Sequence, residues 1–91
     1  MTVLVLPVDL TRVHATACLQ MLVQGLRSEP ESTVVVDAGA LDRFDSSALA
    51  VLLEFRRESL SLGKRLAIRA MPERLRDLAA LYGIGELLPA A

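Results

Sequence analysis

The sequence predicts an α/β fold: a small, mostly parallel or mixed sheet with helices packed on it. Short β-branched runs alternate with longer segments of helical periodicity in the order β-α-β-α-β-α, and strands joined through helices of this length favour parallel pairing with right-handed crossovers. The run Thr33–Asp37 (Thr-Val-Val-Val-Asp) is apolar on both alternating faces, the mark of a buried central strand. With 91 residues, 53% of them hydrophobic, the chain has length for one core only, so residues 1–91 are expected to form a single domain.

The first strand is expected at residues 3–6, ahead of Pro7. Ala15, Cys18, Leu19, Leu22 and Leu26 then recur at helical spacing, opposite a polar stripe of Arg12, Thr16, Gln20, Gln24 and Arg27, which describes an amphipathic helix lying on the sheet. Thr11 is the expected N-cap, and Ser28-Glu29-Pro30 ends the helix because Pro30 disfavours helical geometry in the residue before it. After the central strand, a connection containing Gly39 leads to Asp45-Ser46-Ser47, which opens a second helix running to about residue 62. Gly63 supplies its left-handed C-terminal residue, with Lys64 and Arg65 near the negative end of the dipole. Residues 66–70 are expected to form a third strand. Pro72 stands at the first position of a third helix, with Leu75, Leu78, Ala79 and Tyr82 on one face and Gly83 as its stop. Ile84, Leu87 and Leu88 are expected to fold back over a core edge, leaving residues 89–91 frayed.

Ten Lys and Arg against eleven Asp and Glu leave a formal charge of −1, so no net field gathers a phosphate backbone. Only three aromatics are present (Phe44, Phe55 and Tyr82), too few for a base-stacking platform. Both observations argue against nucleic acid as a partner. Cys18 is the single cysteine and His14 the single histidine, so neither an intrachain disulfide nor a Cys/His zinc set is available, and no metal or cofactor is expected. The start of the chain lacks a basic segment and its apolar run is broken by Asp9 and Arg12, unlike a secretory signal, so a cytoplasmic location is expected. Residues 48–53 are the longest unbroken apolar run, far short of the roughly 20 residues of a spanning helix. Membrane association is expected only through a partner.

Residues 44–53 are the most informative segment, because they place a carboxylate and two hydroxyls at a helix N-terminus directly after a connection leaving the central strand. Ligands and partners of open α/β sheets use that position. Asp45 is the natural N-cap, which sets Ser46 at the first helical position beside unpaired N–H groups, with Ser47 following. The simplest alternative is that these residues only cap a helix. The helix also carries more apolar residues than one stripe needs: Leu49, Leu52, Leu53 and Leu60 make a core stripe, while Ala48, Val51, Phe55 and Leu62 add to it. Part of its first half is therefore expected to stay exposed as a docking surface formed by Asp45, Ser46, Ser47, Ala48, Val51 and Phe55. Coverage of that patch by the 41–44 loop or the 84–88 segment is the competing expectation.

An enzyme has little to work with. Ser46, His14 and an Asp nominally make a triad, yet no Gly-x-Ser-x-Gly elbow is present, and Gly39, Gly63, Gly83 and Gly85 are scattered without a phosphate-cradling pattern. No catalytic residue is assigned. Glu54, Arg56, Arg57 and Glu58 read as a solvated helix face with compensating charges.

Asp45-Ser46-Ser47-Ala48-Leu49 resembles the mark of the STAS domain family (sulphate transporter and anti-sigma factor antagonist): a strand, a loop, then Asp-Ser/Thr-x-Gly/Ala-Leu opening a helix. The resemblance extends over about residues 4–88, with Val8-Asp9-Leu10-Thr11 standing where the family usually has Gly-x-Leu-Asp/Thr. The ending Leu78-Ala79-Ala80-Leu81-Tyr82-Gly83-Ile84-Gly85-Glu86-Leu87-Leu88 is most similar to the small stand-alone STAS subunits of Mla-type phospholipid transporters. That resemblance implies a non-enzymatic regulatory or assembly subunit, cytoplasmic and peripheral to the inner membrane, seated on the ATPase subunit of an ABC transporter through the helix beginning at Ser46. It would serve phospholipid transport, lipid asymmetry and outer-membrane maintenance. The alternative it implies is an anti-sigma factor antagonist, with Ser46 phosphorylated by an anti-sigma factor kinase. With little chain before Val3 to complete the sheet, weak self-association between copies is also expected.

Overall fold

A computed structural model describes residues 2–91, with Thr2 described through its backbone alone. Three strands, β1 (Thr2–Val5), β3 (Thr33–Asp37) and β5 (Arg65–Arg69), form a parallel sheet with β3 in the centre. Helix α1 (Ala15–Arg27) connects β1 to β3, α2 (Ser46–Ser61) connects β3 to β5, and α3 (Glu73–Leu81) follows β5. Strands are added in one direction across the sheet, and right-handed crossovers that step one way put every connecting helix on the same face. The packing agrees: Val34, Val36, Leu66 and Ile68 of the strands share one core with Leu22 and Leu26 of α1, Leu52 and Phe55 of α2, and Leu75 and Ala79 of α3.

Sequence patterning did not separate two further strands of two residues each, β2 (Asp9–Leu10) and β4 (Arg43–Phe44), which pair with each other in parallel. Such short runs have no alternation to read. Their pairing is extended by the amides of Asp42 and Arg43, both donating to the Val8 carbonyl at 2.8 and 3.0 Å. It binds the connection leaving β1 to the one leaving β3.

Several boundaries differ from the expected ones for physical reasons. The first strand lies one residue earlier than expected, although Leu6 continues its ladder by donating to Asp37 O. Thr11 does not cap α1; its carbonyl accepts from His14 N at 2.9 Å, closing a turn, and His14 occupies the cap position without a side-chain cap bond. Pro72 holds an extended ψ of 143° and so is the N-cap of α3 rather than its first residue. Tyr82 is the C-cap and exposed, off the core face. Lys64 serves a neighbouring loop, not its own helix end: its buried ammonium donates to the carbonyls of Glu29 and, at 2.8 Å, Glu31. Gly63 takes the left-handed conformation expected of it, with φ +72°.

The chain after α3 makes a single helical turn, Gly85–Leu87, and buries Leu88 against the core with Ile84 beside it, while Leu87 stays partly exposed. Residues 89–91 are not frayed. Ile68 N donates to Pro89 O at 2.8 Å and Ala91 N donates to Ile68 O at 2.9 Å, a parallel bridge that covers the outer edge of β5. The outer edge of β1 has no strand partner among the described residues.

Candidate docking site at the start of α2

Asp45 organises the site. In an extended conformation (φ −128°, ψ −166°) it caps α2, its Oδ1 accepting from Ser47 N at 2.8 Å. Its Oδ2 accepts from Arg12 N at 3.1 Å, which draws the turn before α1 against the first turn of α2. These amides, Ser47 first, hold the Asp45 carboxyl below the usual carboxylate range. Phe44 fixes the approach to this cap: its ring packs against the core while the Arg74 guanidinium stacks 4.7 Å from its centroid. The Asp9–Arg43 ion pair, at 3.2 Å, spans the small β2–β4 ladder behind it.

Ser46 therefore stands at the first helical position, exposed, and its hydroxyl makes no hydrogen bond among the described residues. Ser47 is half-buried. The Ser47 and Ala48 amides are taken up by Asp45, through its Oδ1 and its carbonyl, so what the helix start offers beside this hydroxyl is the positive end of the dipole. The site can receive a hydrogen-bonding or anionic group from outside, and the His14 ring, the nominal triad member, lies against Thr11 Oγ1 at 3.2 Å.

The expected apolar surplus on α2 is corrected by its packing. Ala48, Val51 (3% exposed) and Phe55 (0%) are core residues, because α2 lies between α1 and α3 as well as on the sheet and buries two sides. Leu60, expected in the core stripe, is half exposed; Ser59 takes the inward position and its hydroxyl donates to Phe55 O at 2.8 Å. Ala48 and Phe55 cannot touch a partner directly in the folded domain. Val51 contributes only to the floor of a shallow groove between α1 and α2.

That groove, about 160 Å³, is lined by Ala15, Thr16, Leu19, Ala50 and Val51. Next to the Arg12–Asp45 contact stands Val13, 87% exposed. From sequence, Ala15, Thr16 and Leu19 read as stripes of an amphipathic helix and not as part of the docking surface; Val13, an apolar residue ahead of that stripe, was the available signal. Cys18 is a core residue whose thiol burial pushes up, and Arg57 pairs with Glu54 at 3.5 Å on the solvated face of α2. Among the described residues, no cluster of His, Cys, Asp and Glu side chains could hold a metal ion, and no helix is long and apolar enough to cross a membrane.

Comparison with known proteins places this geometry. No curated protein sequence matches the chain. Among solved structures, the anti-sigma factor antagonist SpoIIAA in its unphosphorylated form superposes with a TM-score of 0.76 at 18% identity, covering 98% of this chain and 77% of SpoIIAA, so the two share a fold. The model of the family described as "Mlab, STAS domain" matches residues 1–89. Proteins of this kind bind partner proteins. The parallel sheet with helices on one face, the Asp45-capped helix and that match over nearly the whole chain lead to one assignment: the chain belongs to the MlaB-type STAS domain family.

Proposed function

We propose that this domain is a non-enzymatic regulatory or assembly subunit that docks on the cytoplasmic ATPase subunit of a Mla-type phospholipid ABC transporter and reaches the inner membrane only through it. The observation that carries the reading is the start of α2. Ser46 offers an exposed, unpartnered hydroxyl on a helix N-terminus held rigid by Asp45, beside an apolar groove and the protruding Val13. Asp45, Ser46, Ser47 and the groove over Val51 form the contact. Ala48 and Phe55 support it from below. Membership of the MlaB-type family favours an ATPase over other partners. The His14 ring hydrogen-bonds Thr11 Oγ1, and the site is read as one of binding groups without turnover. Weak pairing between copies through the open edge of β1 belongs to the same reading.

A second reading, an anti-sigma factor antagonist switched by a kinase at Ser46, draws on the accessibility of that hydroxyl and on the fold shared with SpoIIAA. Intact-mass spectra of protein from its source cell, with and without phosphatase, separate the two. The transporter reading expects an unmodified Ser46 and co-purification with the ATPase subunit. A phosphate on Ser46 that changes with growth condition contradicts it.

A further inference from the structure

A cavity of about 290 Å³ lies between β5, α3 and the chain that folds back after α3, and it shares no lining residue with the α1–α2 groove. Ile68 of β5, Ala79 of α3, Met71 and Leu88 wall it with carbon, and Pro89 and Ala90 complete it from the returning chain. The bridge between Ile68 and Ala90 holds that chain in place, so this wall is a built part of the fold. Protein interiors contain few voids larger than a water, and an apolar wall gives water few partners. Space of this size in so small a domain therefore suits an occupant with a hydrocarbon body. Arg76 is the one charged residue in the lining; it is exposed, and its guanidinium makes neither an ion pair nor a hydrogen bond among the described residues.

We propose that this cavity binds a medium-length acyl or alkyl chain carrying an anionic head, a carboxylate or a phosphate, with the chain among Ile68, Met71 and Leu88 and the head on the Arg76 guanidinium. Size sets the chain. At about 30 Å³ for each water-sized group, the cavity holds roughly ten non-hydrogen atoms, the number in octanoate. A helix of a partner protein, about 10 Å wide with its side chains, does not enter so small a space. Charge sets the head. A guanidinium free of other partners takes a carboxylate or phosphate through two parallel N–H donors, and it disfavours a cationic group. Gly85 offers a way to fill the site. It belongs to the lining, a Cβ there would meet no atom within 4 Å, and its backbone is outside the left-handed region. This cavity stands apart from the start of α2, and the failure of docking there would leave it untouched.

Titration of the full chain, with its isoleucine, leucine and methionine methyls observed by NMR, tests the proposal. The probes share one chain length: octanoate, octyl phosphate, octanol and octylamine. Both anions are expected to shift the Ile68, Met71 and Leu88 methyls and to saturate at about 1 mM or below, and the tighter of the two names the head group. Octanol is expected to bind about tenfold more weakly than the better anion, and octylamine more weakly still. Arg76→Ala is expected to bring octanoate to the level of octanol while the free protein stays folded. Gly85→Leu is expected to weaken octanoate and octanol alike. Absence of methyl shifts at about 10 mM of either anion, octylamine binding as tightly as octanoate, or unchanged binding in both variants would overturn it. So would shifts confined to the α1–α2 groove.

Discussion

The carboxylate of Asp45 ties the start of α2 to Arg12, 33 residues earlier in the chain: one oxygen accepts from Ser47 N at the first turn of α2 and the other from Arg12 N ahead of α1. One side chain thus sets both the cap of the proposed docking helix and the position of Val13 beside it. Asp45→Ala removes both contacts, whereas Asp45→Asn keeps an N-cap acceptor. The thermal midpoint should fall by a few degrees in the Ala variant and by less in the Asn variant. Amide exchange should rise at Ser47 and at residues 11–14 together. Equal exchange in wild type and Asp45→Ala would show that the tie does not order the turn.

The core placement of Val51 and Phe55 makes their substitution a matter of folding. Phe55→Ala leaves a cavity in contact with the sheet and is expected to cost about 3–5 kcal/mol. Val51→Glu buries a charge between α1 and α2 and should cost on the order of 4 kcal/mol or more, a large part of the stability of a domain this small. Urea titration followed by circular dichroism checks both. A Val51→Glu protein with an unchanged midpoint would mean that this side chain can turn outward.

Acid should weaken the fold through two aspartates. Asp37 is held below the usual range chiefly by the hydrogen bond from Arg69, and Asp45 chiefly by the Ser47 amide. A carboxyl depressed in the folded state contributes stability that is fully present above its unfolded value, about 3.9. That contribution is lost as pH falls below that value through the folded one. Urea midpoints should hold from neutral pH to about pH 5 and decline below it, and Asp37→Asn should flatten the decline. An Asp37→Asn protein with the same acid slope as wild type would remove Asp37 from the account.

Weak self-association should follow from the uncovered edge of β1, whose paired residues include Val3 and Val5 and no charged side chain. Light scattering over a wide concentration range is expected to show the apparent mass rising without the ATPase subunit. A strict monomer throughout contradicts pairing at this edge.

The sheet and helices were legible because their signals are periodic: the Thr33–Asp37 run is central, and Cys18, Leu22 and Leu26 face inward as their spacing requires. The Asp45 cap was legible because capping is local chemistry. What one sequence did not reveal depends on neighbours remote in the chain. That α2 needs two buried sides follows from α1 and α3 flanking it, so Ala48, Val51 and Phe55 looked like surplus surface. The β2–β4 ladder and the Lys64 contacts with the 29–31 loop are likewise products of tertiary placement.

Binding of the ATPase subunit to Ser46→Thr and Ser46→Asp, measured by calorimetry against wild type, tests the central claim most directly. Thr keeps a hydroxyl at the first helical position and should leave affinity within a few-fold. Asp carries a charge that suits the helix dipole, so the free domain should be as stable as wild type or slightly more so, by about 0.3–1 kcal/mol. The same charge enters the docked contact unpaired, and affinity should drop by about tenfold or more, with ATPase activity falling in step. A Ser46→Asp protein that folds normally and binds the ATPase subunit as tightly as wild type would contradict docking through the start of α2.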